Sequence, residues 1–307
     1  MKLLATAAAL ALSLAASSSA STFGPLAEAA DLSAAPAGTA PVLLDIRAKG
    51  YDEAHAEGAL WAPYGIFRGP QENPGALVDI EALEVQLEQL GLELNDPLVI
   101  LTDGKNSSDF GAAARVYWTL KSTGFTDLAI LNGGMAAWQA AGLPVSNQTA
   151  PVAASELELR FDSTWLAETA DVAAVALGEA EAVLVDARLS PFYSGDKAHG
   201  AAKMAGTAQG AVNHEFTEFF ESGAAKISPV TDVAGLKAKL GVSADEPVIS
   251  FCNTGHWAAT HWFAVSELAG VENAKLYAAS MVEYSNAGAP MENTPGLLQN
   301  LLNQVTR

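Results

Sequence analysis

The chain has 307 residues, half of them apolar, and 35 Asp and Glu against 16 Lys and Arg give a net charge of −19. So acidic a protein is a poor fit to nucleic acid or an anionic membrane surface, and the apolar fraction excludes a disordered chain. Its one cysteine, Cys252, excludes an internal disulfide, and a lone thiol in an oxidising compartment is either buried or used.

Residues 1–20 carry Lys2, an apolar run from Leu3 to Leu14, and then Ser18, Ser19 and Ala20. That order predicts a secretory signal peptide, too short to span a bilayer, and places the mature protein in a bacterial periplasm or outside the cell. No later stretch has the apolar length of a span, so membrane insertion is not expected. Residues 21–40, rich in Ala, Ser, Thr and Pro, read as a loose leader. Roughly 280 residues remain, which suits two domains.

Internal repetition divides them. The run from Asn132 through Gly142 and Pro144 lines up without gaps on Ala278 through Gly288 and Pro290. Upstream, Asp45-Ile-Arg47 matches Asp186-Ala-Arg188, and Gly58-Ala59-Leu60 matches Gly210-Ala211-Val212. Each copy alternates short β-rich runs (41–45, 98–102 and 128–131; 183–186, 248–251 and 275–277) with helical stretches. The fold class is therefore α/β: two tandem domains, each a parallel sheet flanked by helices, at 41–145 and 156–307 with a linker at 146–155. Aligning Val-Ile-Leu-Thr-Asp103 with Val-Ile-Ser-Phe-Cys252 puts Asp103 at the cysteine position of the first copy. Only the second copy can then use a thiolate.

The stretch Pro247 to Leu268 reads as strand, tight loop and helix, with Cys252 at the turn. Inward-pointing loop amides and the positive end of the following helix stabilise an anion there, and a thiolate is such an anion. Between Asp186 and Gly210 the second copy is longer than the first, and this inserted segment carries Tyr193, Lys197, His199 and Lys203. Ligands of parallel sheets bind beyond the carboxyl ends of the strands, so Lys197 and Lys203 are expected beside the sulfur as local positive charge. His256 reads as an exposed loop residue, Trp257 as a pocket wall and Trp262 as core. Met281 and Glu283, after the last strand, are expected to shape the pocket. His256 and His261 are off a common helix face, so no metal is expected.

The Asp-x-Arg strand end, the Gly-Ala-Leu/Val segment, the strand-Cys-loop-helix and the closing Gly-x-Pro together resemble the two-domain rhodanese family of thiosulfate and 3-mercaptopyruvate sulfurtransferases, over residues 40 to 292. The resemblance implies that Cys252 is the catalytic residue and becomes a persulfide cradled by the loop Asn253, Thr254, Gly255, His256, Trp257 and Ala258. It implies that Arg188 binds substrate, although Asp186 and Arg188 read equally as a structural salt bridge because Asp45 and Arg47 repeat the pair in the copy without a cysteine. It also implies that the donor is a small sulfur-containing anion, and that cyanide, a small thiol or a thiol protein accepts the sulfur without a cofactor. The loop departs from both substrate classes: thiosulfate-preferring relatives carry Arg and Lys where this chain has Asn253 and Thr254, and mercaptopyruvate-preferring ones carry Gly and Ser. The relatives' second arginine falls near Phe192, and Lys197 or Lys203 is the candidate replacement. A persulfide carrier that loads once and passes its sulfur to a partner protein is the alternative. Phosphatases of the same fold hold phosphate with an arginine six residues past the cysteine, where this chain has Ala258.

Overall fold

The structure, a computed structural model, describes residues 23–34, 40–149, 151–243 and 246–296. The proposed signal peptide lies outside the described residues. The first half holds strands β1 (Leu26–Ala27), β2 (Val42–Asp45), β3 (Leu60–Trp61), β4 (Leu98–Leu101) and β5 (Leu128–Leu131). Its helices are α1 (Ala29–Ala34), α2 (Ile80–Gln89), α3 (Ser107–Ser122) and α4 (Gly134–Ala140). The second half holds β6 (Leu166–Ala167), β7 (Val183–Asp186), β8 (Val212–Asn213), β9 (Val248–Phe251) and β10 (Ala274–Tyr277). Around them lie α5 (Thr169–Ala176), α6 (Ser190–Tyr193), α7 (Val233–Leu240), α8 (Trp257–Phe263) and α9 (Ser280–Ala287).

Both sheets are parallel and have the same strand order, β1-β5-β4-β2-β3 and β6-β10-β9-β7-β8. The central strands β4 and β9 are buried at every position, as their unbroken apolar runs require of a sheet covered on both faces. The tandem α/β expectation holds, with two corrections.

The leader expectation fails at its inner end. Leu26 and Ala27 pair with Ile130 and Leu131 as the edge strand of the first sheet, and α1 follows. A two-residue strand is too short to show periodicity, but the repeat carries it: Leu26-Ala-Glu-Ala-Ala-Asp31 recurs as Leu166-Ala-Glu-Thr-Ala-Asp171. Both aspartates accept from the backbone three residues back, Glu28 N–H at 3.1 Å and Glu168 N–H at 2.8 Å.

The second correction is one of register. Asp45 pairs with Leu101 and Asp186 with Phe251, so the residue beyond each central strand is Thr102 in one half and Cys252 in the other. Met135 N–H bonds the Thr102 carbonyl and Met281 N–H the Cys252 carbonyl, which fixes the same equivalence. Thr102, not Asp103, therefore stands at the cysteine position, and Asp103 matches Asn253.

The halves do not hang on a loose linker. Ser155 N–H bonds the Glu88 carbonyl, and Leu157 and Leu159 N–H bond the carboxylates of Glu88 and Glu84 along α2. One apolar cluster runs through both halves where α3 packs on α8. Phe110 and Tyr117 meet Phe263 edge-on with ring centroids 5.5 and 5.1 Å apart, and Tyr117 Oη donates to Glu267 at 2.9 Å. Lys121 closes this contact on Glu267 at 2.8 Å.

Candidate active site

Cys252 leaves the end of β9 and is 1% exposed. The next residues turn sharply at Gly255, whose φ of +67° suits glycine, and enter α8. Beneath the turn lies Ser280, the first residue of α9, with a φ of +56° that a serine seldom adopts. Its hydroxyl accepts from Cys252 N–H at 3.0 Å and Gly255 N–H at 3.1 Å and donates to the Tyr277 carbonyl at 2.7 Å. One strained serine thus holds the start of the loop and its turn, the kind of position where strain is tolerated for function. The first-turn amides of a helix have no intrahelical acceptor, and those of α8 begin directly after this loop.

The loop is tied laterally as well. Asp186 and Arg188 form a buried bidentate pair, and Thr207 Oγ1 donates to the same carboxylate at 2.8 Å. Arg188 Nη2 donates to the Gly206 carbonyl at 2.7 Å and Nη1 reaches Asn253 Oδ1 at 3.3 Å. Arg188 thereby fastens Asn253, buried as the guanidinium is, to the ends of β7 and β9.

The first half supplies the site's charge. Arg68, which caps the short 3-10 turn Tyr64–Phe67 that follows β3, donates from Nη2 to the Thr254 carbonyl at 2.9 Å and from Nη1 to Tyr64 Oη at 3.0 Å. Tyr64 Oη lies 3.0 Å from His256 Nδ1, and His256 Nε2 lies 2.9 Å from the Ser108 carbonyl. A carbonyl only accepts, so Nε2 carries the proton and Nδ1 accepts from Tyr64. His256 is therefore not the exposed loop residue expected: it is half-buried and joins the loop to α3. Burial and then the nearby Arg68 charge push it down to about 4, which keeps it neutral and unsuited to taking a proton at pH 7.

Trp257 packs between the two halves. It stacks on Phe216 at 4.9 Å, meets Phe192 edge-on at 5.9 Å, and donates from Nε1 to Ser108 Oγ at 3.0 Å. Trp262 is core, as expected. Thr254 is half-buried, and Gly255 and Ala258 are buried. Glu283 accepts from Asn73 Nδ2 at 2.9 Å across the two halves.

Lys197 and Lys203 are exposed on the inserted segment. The cations whose charge acts on His256 in the loop are Arg68 and Arg115, the latter on α3. Sequence reading missed both, and also Ser280. For Arg115 a signal existed: one charge inside Ala112-Ala-Ala-Arg-Val-Tyr-Trp118 is out of place on a helix otherwise apolar there. For Ser280 the repeat held it, since Ser280 falls on Gly134. Among the described residues no group of three or more His, Cys, Asp and Glu is placed to hold a metal.

Parallel sheets of this order, a cysteine at the carboxyl end of a central strand and a loop running into a helix start define a class of α/β proteins, and comparison with known proteins narrows it. The rhodanese-like domain family matches residues 28–141 and again 169–287. The thiosulfate sulfurtransferase of Azotobacter vinelandii is 31% identical over 262 residues, covering 84% of this chain and 93% of that protein. The 3-mercaptopyruvate sulfurtransferase of Escherichia coli K12 is 28% identical, covering 71% of this chain and 76% of its own. The crystal structure of the E. coli 3-mercaptopyruvate sulfotransferase SseA superposes with a TM-score of 0.69 at 22% identity, covering 84% of this chain and 98% of that one. The chain belongs to the rhodanese family, and it is a sulfurtransferase.

Proposed function

We propose that Cys252 carries the transferred sulfur as a persulfide, with thiosulfate or a related donor such as 3-mercaptopyruvate as its source. The Cys252 thiolate attacks the outer sulfur of thiosulfate, the S–S bond of the donor breaks, and sulfite leaves with the electron pair. The persulfide anion then gives its terminal sulfur to cyanide or a thiolate, and the Cys252 thiolate returns. Loop amides held in place by Ser280 and the Arg68 charge stabilise the anion through both steps, as an oxyanion hole does for oxygen. The single observation carrying this reading is that the chain's only cysteine directly follows the central strand of the second sheet, at the start of a loop whose Cys252 and Gly255 amides are hydrogen-bonded to one hydroxyl.

Signal-like residues 1–20 support a periplasmic or secreted site of action. Arg68 fits the anionic end of the donor better than Lys197 and Lys203, because its guanidinium bonds the loop itself. The test is intact mass after incubation with thiosulfate and, separately, with 3-mercaptopyruvate. One added sulfur on the wild type and none on Cys252→Ser is the expected result; no addition with either donor would falsify the reading. Multiple turnovers with cyanide separate an enzyme from a carrier, which loads once and stalls.

A further inference from the structure

Arg115 sits in the middle of α3 and is 1% exposed. Its Nη2 donates to the carbonyls of Gly75 and Ala76 at 3.1 and 3.3 Å, and its guanidinium lies 5.1 Å from the Trp118 ring. Its Nε and Nη1 are buried without a hydrogen-bond partner. A Cβ built on Gly255 would stand 2.4 Å from Nη1, so the guanidinium lies directly against the cysteine loop. Burial, then repulsion from Arg68, push Arg115 down to about 9, and Tyr64 and Cys252 are its remaining electrostatic neighbours. It is still a cation at neutral pH.

A buried guanidinium with two idle donor atoms is costly, and a hydrophobic residue of similar volume would remove that cost. The charged groups around it offer no other anion. Arg68 is a cation, Tyr64 and His256 are neutral and bonded to each other, and the Asp186 carboxylate is taken up by Arg188 and Thr207. What remains is the sulfur.

We propose that Arg115, supplied by the half without a cysteine, is a positioning residue for the sulfur chemistry, its idle Nε and Nη1 providing the counter-charge first for the Cys252 thiolate and then for the terminal sulfur of the persulfide. The inference rests on the persulfide reading above and adds which cation answers the sulfur. It makes the site composite: the nucleophile comes from one half and its counter-ion from the other.

The test uses the full chain and three variants: Arg115→Met, Arg115→Gln and Arg115→Lys. Iodoacetamide alkylation of Cys252 is followed against pH, with a thermal melt of each protein and intact mass after thiosulfate. The Met variant is expected to melt no lower than wild type, while its alkylation midpoint moves up by about one pH unit and its rate at pH 6 falls about tenfold. Gln is expected to behave alike, and Lys to restore most of the rate. A folded Met or Gln variant with the wild-type profile overturns the proposal, and collapse of both neutral variants overturns it too, by making Arg115 a structural strut. Wild-type protein that neither alkylates at Cys252 nor loads sulfur would instead sink the persulfide reading.

Discussion

The two halves share a strand order and an Asp-x-Arg pair of the same geometry, yet only one carries a cysteine. Arg47 clasps Asp45 as Arg188 clasps Asp186, buried in both halves. The pair is therefore a device of the fold, and its presence says nothing about activity. The difference lies under the loop. Gly134 occupies the place of Ser280 with nearly the same φ, +53° against +56°, but a Cβ there would meet the Thr102 carbonyl at 2.4 Å and Gly104 N at 2.9 Å. The first half has collapsed onto its glycines and has no hydroxyl to hold a loop. The second has opened enough to admit a serine in a strained conformation. Asp103, the counterpart of Asn253, turns instead to Lys105 at 3.0 Å in an open depression of about 630 Å³ that Arg47 also lines.

The strongest way to break this comparison is to exchange the residues at the strand ends. Cys252→Ser is expected to abolish sulfur loading and turnover, while Thr102→Cys in that background stays unloaded in intact-mass assays, because the Thr102 loop has no hydroxyl beneath it and the Arg115 guanidinium lies against the Gly255 loop instead. Next in size, Ser280→Ala removes an acceptor shared by two buried N–H groups. It should lower kcat by about tenfold or more and cost about 1–3 kcal/mol in urea unfolding, whereas Gly134→Ser, which has no room, should destabilise the protein without adding activity.

Gly111→Ala probes the contact between the halves, since its Cβ would meet the His256 carbonyl at 2.9 Å and the His256 ring at 3.0 Å. About 1–3 kcal/mol of overpacking is expected, together with a higher KM for thiosulfate if the loop shifts. Acid sharpens the same point. His256 titrates near 4 in the folded chain and near its ordinary value when unfolded, so the unfolded state binds a proton that the folded state refuses. Stability should fall as pH drops from about 6.5 towards 4, by up to about 3 kcal/mol from this residue. His256→Gln should flatten that part of a melt-against-pH curve. Smallest of all, Lys197→Ala with Lys203→Ala should change the thiosulfate KM by less than about threefold, as exposed charges contribute little, while Arg68→Ala raises it more.

Much of this was legible in the sequence because it is local. The repeat, the central strands and the place of Cys252 follow from apolar runs and the residues that end them. What escaped depends on contacts distant in the chain. Shared Val-Ile letters align Asp103 with Cys252, whereas sheet pairing, not letter identity, decides which residue ends a strand. The leader hid a two-residue strand that only its partner β5 defines. Arg68 and Arg115 lie on the half without the cysteine, and nothing in the local pattern of α3 says that it will lie against a loop some 140 residues later.

The packing of α3 on α8 has a consequence for how this activity persists. A subunit that lends a charge to a neighbour's reacting atom can dissociate on dilution; one tethered in the same polypeptide faces an effective concentration that dilution leaves unchanged. The half without a cysteine works as a resident subunit, and dilution should leave the specific activity of the intact protein constant.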